Sequence, residues 1–108
     1  MRPIATLDAA GFDSAIKQDG PALVLFTAPW CIKCKRVAPE ASALAEDNPW
    51  SLRVLRVVVD DSPGLAERFQ IRSIPAALLF QHGQLVQHIQ PREGGQLRAA
   101  VTAQLEVA

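Results

Sequence analysis

An almost unbroken apolar run from Ala22 to Thr27 leads within four residues to a cysteine pair, and a helical pattern begins at that pair: Leu23-Val24-Leu25-Phe26-Thr27-Ala28-Pro29-Trp30-Cys31-Ile32-Lys33-Cys34. A strand this apolar has no face to offer to solvent, so it belongs in the middle of a sheet covered on both sides. The strand-to-helix junction then sets two thiols, two residues apart, at a helix N-terminus. There they can close a small disulfide ring, and the positive end of the helix favours a thiolate. They are the only cysteines among 108 residues. The spacing points to thiol–disulfide exchange.

The remaining pattern fits a layered α/β domain. Ile4 to Leu7 reads as a short first strand, and Gly11 to Lys17 places Phe12, Ala15 and Ile16 on one helical face before Asp19-Gly20-Pro21 ends the element. From Cys31 to Asn48 the residues Val37, Ala38, Ala41, Leu44 and Ala45 follow helical spacing, although Pro39 removes one backbone hydrogen bond inside that helix. Leu52 to Val59 reads as another buried strand. Ser62-Pro63-Gly64 predicts an N-cap followed by proline at the first position of a short helix through Phe69. Ala76 to Phe80 and Leu85 to Ile89, joined by Gln81-His82-Gly83-Gln84, predict a β-hairpin. A last helix follows Gly94-Gly95, with Leu97, Val101 and Leu105 recurring every four residues as an apolar stripe.

Length and charge narrow the function. A chain of 108 residues suits one domain, residues 1–108, burying roughly two thirds of its unfolded surface. Eleven basic and eleven acidic side chains cancel, so the excess positive charge expected of a nucleic-acid or anionic-membrane binder is missing. No stretch approaches the ~20 apolar residues of a membrane span, and Met1 to Asp8 has no apolar leader pattern. A cytoplasmic location, no nucleic acid, no membrane and a monomer are the resulting expectations. A lone cysteine pair in that compartment suits catalysis or metal binding better than a structural cross-link.

Several segments in order and spacing make the chain resemble the thioredoxin family over nearly its whole length. They are Ala28-Pro29-Trp30-Cys31-Ile32-Lys33-Cys34-Lys35, Pro39, Val59-Asp60 with Pro63-Gly64, Ile71-Arg72-Ser73-Ile74-Pro75-Ala76, and Phe80-Gln81-His82-Gly83. The resemblance implies a thioredoxin-like fold with a central mixed β-sheet flanked by helices on both faces. It also implies the cysteines at a helix N-terminus and a cis-proline, Pro75, facing them. As activity it implies protein disulfide reduction, with protein disulfide substrates and a recycling reductase such as thioredoxin reductase. Five departures stand out. Ile32-Lys33 replaces the family's usual Gly-Pro, and Leu25 stands where a buried aspartate assists proton transfer. Arg56 replaces the lysine that pairs with that aspartate, and Thr27 and Pro91 replace a tryptophan and a glycine near the site. Arg56 is expected at the surface, or paired with Asp60 or Glu40.

The residues themselves assign roles. A thiol of pKa ~8.5 is only about 3% thiolate at neutral pH, whereas lowering it to ~7 at a helix N-terminus makes about half of it reactive. Cys31, first in the pair, gains most and is the expected nucleophile; Cys34, a turn further in, is the expected resolving thiol. No cofactor is required. Lys33 adds a cation close to the sulfur and is expected to tune it, making the protein less reducing than ordinary thioredoxin. Trp30, Ile32, Ile74 and Pro75 form an apolar rim for an extended substrate segment, and Trp50 caps the sheet edge. Two other readings compete. One is a binding or chaperone module on the same fold with weak turnover. The other is a metal site using the cysteine pair with His82 and His88, disfavoured because two elements intervene and the histidines lie on opposite sides of a hairpin.

Overall fold

A computed structural model of the protein describes residues 4–106. The sequence-based domain limits at residues 1 and 108 lie outside the described residues. In chain order the elements are β1 (Ala5–Thr6), α1 (Ala9–Ile16), β2 (Ala22–Thr27), α2 (Ile32–Glu46), β3 (Arg53–Val58), α3 (Pro63–Arg68), β4 (Ala76–Gln81), β5 (Gln84–Ile89) and α4 (Gln96–Leu105). The sheet order is β1-β3-β2-β4-β5. β1, β3 and β2 are parallel, and β4 and β5 are antiparallel additions. The apolar run is the central strand, flanked by β3 and β4.

Side chains of β2 alternate between two cores, as strand geometry requires. Leu23 and Leu25 join Val37, Ala41 and Leu44 of α2 and Leu97 and Val101 of α4 in one aliphatic layer. Ala22, Val24 and Phe26 join Phe12 and Ile16 of α1, Leu65 of α3 and Phe80 of β4 in the other. This second layer is aromatic. Phe69 stacks edge-on against Phe26 and Phe80, with centroids 6.4 and 5.8 Å away, and the Arg68 guanidinium lies 4.9 Å above the Phe69 ring. Trp50 is half-buried against the aliphatic layer, as expected of a cap.

Helix ends explain several otherwise puzzling residues. α1 lacks a basic residue in its last turn, and Arg53 of β3 supplies one from across the fold. Its guanidinium donates to the carbonyls of Ala15, Gln18 and Gly20. The Ala15 carbonyl is one that a helix terminus leaves orphaned, and Gln18 and Gly20 belong to the turn that follows. Burial pushes the Arg53 guanidinium below its ordinary value, and its Nε is the one buried side-chain nitrogen or oxygen without a partner among the described residues. α4 starts at Gly95, in the left-handed region at φ 89°, with no side-chain cap. Glu40 of α2 completes that end: its Oε1 accepts from the Leu97 N–H at 3.1 Å.

Three local expectations need correction. Ser62 does precede Pro63 at the start of α3, but its hydroxyl makes no capping bond and its side chain is buried instead. The hairpin connection is shorter than the four residues expected, since β4 and β5 each gain one residue and only His82-Gly83 turns. Both are left-handed, at φ 56° and 78°, the combination that matches the twist of a two-residue hairpin. Arg56 is exposed as anticipated, but its Nε donates to Thr6 Oγ1 at 2.8 Å rather than meeting Asp60 or Glu40. The register explains this: Thr6 on β1 lies directly beside Arg56 on β3.

Candidate active site

Sheet topology gathers the site. The parallel pair aligns Thr27 with Val58, so the chain leaves β2 toward Cys31 and leaves β3 toward Asp60 at the same end of the sheet. The antiparallel pair aligns Phe26 with Ala76, so the residues entering β4, Ile74 and Pro75, arrive at that end too. The His82-Gly83 turn lies at the far end, beyond the pairing of Ala22 with Phe80. His82 and His88 are therefore remote from the cysteines or exposed on β5, and no cluster of three potential metal-binding side chains occurs among the described residues.

Cys31 is itself the N-cap of α2. Its Sγ accepts the Cys34 N–H at 3.2 Å, so sulfur takes the place that a serine or aspartate oxygen usually fills. The two cysteines are joined as a disulfide with Cα atoms 5.3 Å apart. Cys31 is 7% exposed and Cys34 2%, so the first sulfur is nearer the surface. α2 then continues unbroken through Pro39, carrying Val37, Ala41 and Leu44 into the aliphatic layer and anchoring the pair. The apolar side chains packed with the pair are Ala28, Val59 and Ile74. Two effects oppose each other here, because an apolar surround disfavours a thiolate and the helix N-terminus favours it.

The Ile74–Pro75 peptide bond is cis, and the Ile74 carbonyl oxygen lies 3.9 Å from Cys31 Sγ. Trp30 and Ile32 are 66% and 69% exposed, the most exposed large apolar residues described. Ile74 is half-buried and Pro75 buried. The four expected rim residues thus divide, with two projecting around Cys31 and two forming a floor beside it. Lys33 is exposed on the first turn of α2. Thr27 lies at the mouth of a neighbouring cleft with Arg56, and Pro91 is fully buried. Leu25 is 4% exposed and packs with the aliphatic layer, so that position offers no buried carboxylate.

One partnership is invisible to local pattern. The Trp30 indole Nε1 donates to Asp60 Oδ2 at 2.8 Å across thirty residues of sequence. It fixes an exposed aromatic ring beside the dithiol. Only the quoted Val59-Asp60 segment hinted at a role for this aspartate.

A family model described as Thioredoxin matches residues 3–103. A thioredoxin of Porphyra purpurea is 40% identical over 79 residues, covering 73% of this chain and 74% of that protein. A bifunctional thioredoxin reductase/thioredoxin of Mycobacterium leprae is 40% identical over 91 residues, covering 84% of this chain but only 20% of that longer protein. A solved thioredoxin structure from Malassezia sympodialis superposes with a TM-score of 0.83 at 24% identity, over 95% of this chain and 94% of that one, which speaks for the fold alone.

Proposed function

Because the chain belongs to the thioredoxin family and is by that membership a thiol–disulfide oxidoreductase, we propose that Cys31 is its nucleophile and Cys34 its resolving thiol. The observation that carries the assignment is the capping geometry, in which the more exposed sulfur receives the N–H of α2's first turn. In the dithiol form the Cys31 thiolate attacks one sulfur of a substrate disulfide, and the other leaves as a thiolate that takes a proton from solvent. Cys34 then loses its proton and attacks Cys31 Sγ. The internal disulfide closes, the substrate's second thiol is released, and two electrons have passed to the substrate. Replacing Cys31 with serine is expected to abolish insulin-disulfide reduction, whereas Cys34→Ser accumulates a mixed disulfide that thiol reagents release. Retention of turnover by Cys31→Ser would reverse the assignment.

Trp30, Ile32, Ile74 and Pro75 serve as the substrate rim on this reading, supported by the two projecting apolar side chains. Lys33 raises the reduction potential above that of ordinary thioredoxin by favouring the thiolate of the dithiol form. One pKa unit of thiolate stabilisation is worth ~1.4 kcal/mol, or about 30 mV for a two-electron couple. Equilibration with glutathione buffers tests it, and a potential at or below thioredoxin's rejects it. Family membership implies protein disulfide substrates and a thioredoxin reductase as electron donor, and the Mycobacterium leprae relative joins both names in one protein. A monomer working in the cytoplasm completes the proposal. Gel filtration and fractionation test those two points.

A further inference from the structure

A cleft of about 450 Å³ opens beside the dithiol, between Lys33 and Arg36 of α2, the Ile74–Pro75 unit, and the segment from Gln90 to Glu93. Its charge is one-sided. Lys33, Arg36 and Arg92 line it against the single carboxylate of Glu93, although the chain as a whole carries eleven charges of each sign. None of the three cations is paired with a carboxylate among the described residues. Glu40, one turn along α2 from Arg36, is committed elsewhere, to the Leu97 N–H at the start of α4. The walls are held in place: Gln90 Nε2 donates to Ser73 Oγ at 2.7 Å, and Gln96 Oε1 accepts from the Arg92 and Glu93 N–H groups at 2.6 and 3.1 Å. The positive cleft is therefore built before any ligand arrives.

We infer that this cleft selects protein disulfide substrates carrying Asp or Glu within a few residues of the attacked cysteine; the inference rests on the exchange reading above. Cys31 Sγ lies 3.9 Å from the Ile74 carbonyl, and Ile74 and Pro75 also line the cleft. A segment whose sulfur reaches Cys31 along that wall must pass Arg36 and Arg92. Guanidinium groups hold carboxylates by paired charge-assisted hydrogen bonds, and unpaired cations around a concave surface also speed the encounter with an anionic partner. Selection acts on kcat/KM, through Arg36 and Arg92 as specificity-determining residues that do not touch the reacting sulfurs.

The test uses three disulfide-containing peptides that differ only in the residues flanking one cysteine, with glutamates, glutamines or lysines there. The glutamate peptide is expected to be reduced about 10-fold more efficiently than the lysine peptide at low ionic strength, with the ratio falling toward one near ~0.5 M salt. In the Arg36→Glu/Arg92→Glu double variant the preference is expected to invert, with the lysine peptide reduced more efficiently than the glutamate peptide. A glutamate-to-lysine ratio near one at low salt overturns the inference. So does an undiminished preference in the double variant. The salt dependence of the unaltered protein decides the matter if the double variant does not fold. Failure to reduce any of the three peptides overturns the exchange reading itself, and this inference with it.

Discussion

The two faces of the central sheet are packed from different materials and serve different ends. The face under α1 and α3 is aromatic, with Phe12, Phe26, Phe69 and Phe80 linked by ring contacts, and it meets the cysteines only at its edge, through Val59 and Ile74. The face under α2 and α4 is aliphatic, and the helix that covers it begins at Cys31. One face stabilises the domain, while the other both stabilises it and positions the chemistry. A change deep in the first, away from Val59 and Ile74, should alter stability alone. A change in the second should register in both stability and exchange.

The largest expected effect is on the aromatic face. Phe12 is fully buried against the rings of Phe69 and Phe80, so Phe12→Ala should cost about 3–5 kcal/mol in chemical unfolding, while the reduction potential of the folded protein stays where it was. A shifted potential would break the separation of the two faces. Next comes Leu25→Asp on the aliphatic face, which puts a carboxyl into a layer without a buried partner and should cost about 2–4 kcal/mol. Burial raises the folded-state pKa of such a group, so the cost should be smallest in acid and should grow as pH rises through the unfolded carboxyl's value near ~4. The same variant should change the pH dependence of mixed-disulfide resolution, because it restores the carboxyl that the family resemblance implies at that position.

Smaller changes sharpen the comparison. Glu40→Ala removes the acceptor at the start of α4 and should cost about 1 kcal/mol, with unfolding of α4 detected by amide exchange at Leu97 before α1 opens. The smallest effect is expected from Asp13→Asn on the outer rim of the aromatic face. Arg68 holds the Asp13 carboxyl below its ordinary value, chiefly through the hydrogen bonds at 2.8 and 3.2 Å. The pair therefore contributes above the unfolded aspartate's pKa and fades as pH falls through the lowered folded value. Comparing acid titrations of both proteins at low and high salt should show a small difference that is present at low salt above the unfolded aspartate's value near ~4 and vanishes in acid and in high salt.

How much of this was legible in the sequence follows the range of the interactions concerned. The central strand, the helix beginning at the cysteines and the hairpin are encoded by contiguous pattern, and each is found within two residues of its expected position. The cis bond at Pro75 was implied by the family resemblance and is present. What the pattern could not supply was partnership across the chain. Arg56 finds Thr6 because β1 lies beside β3, Trp30 finds Asp60 because two strands end together, and Arg53 reaches the end of α1 from the opposite side of a loop. Ser62 has the right residue type and position for a cap and still makes no capping bond, because its side chain is drawn inward. The positive cleft likewise draws on three separated segments, so no local motif announced it.

The sulfur of Cys31 is the cap of a helix and, on the proposed assignment, also the atom that attacks the substrate. Each stage of the exchange cycle therefore presents a different electron density to one amide proton, that of Cys34. A protein labelled with nitrogen-15 carries its own redox indicator at that position. As the sulfur passes from thiolate to mixed disulfide to internal disulfide, the Cys34 amide resonance should move through three distinguishable shifts, while the distant turn at Gly83 stays silent.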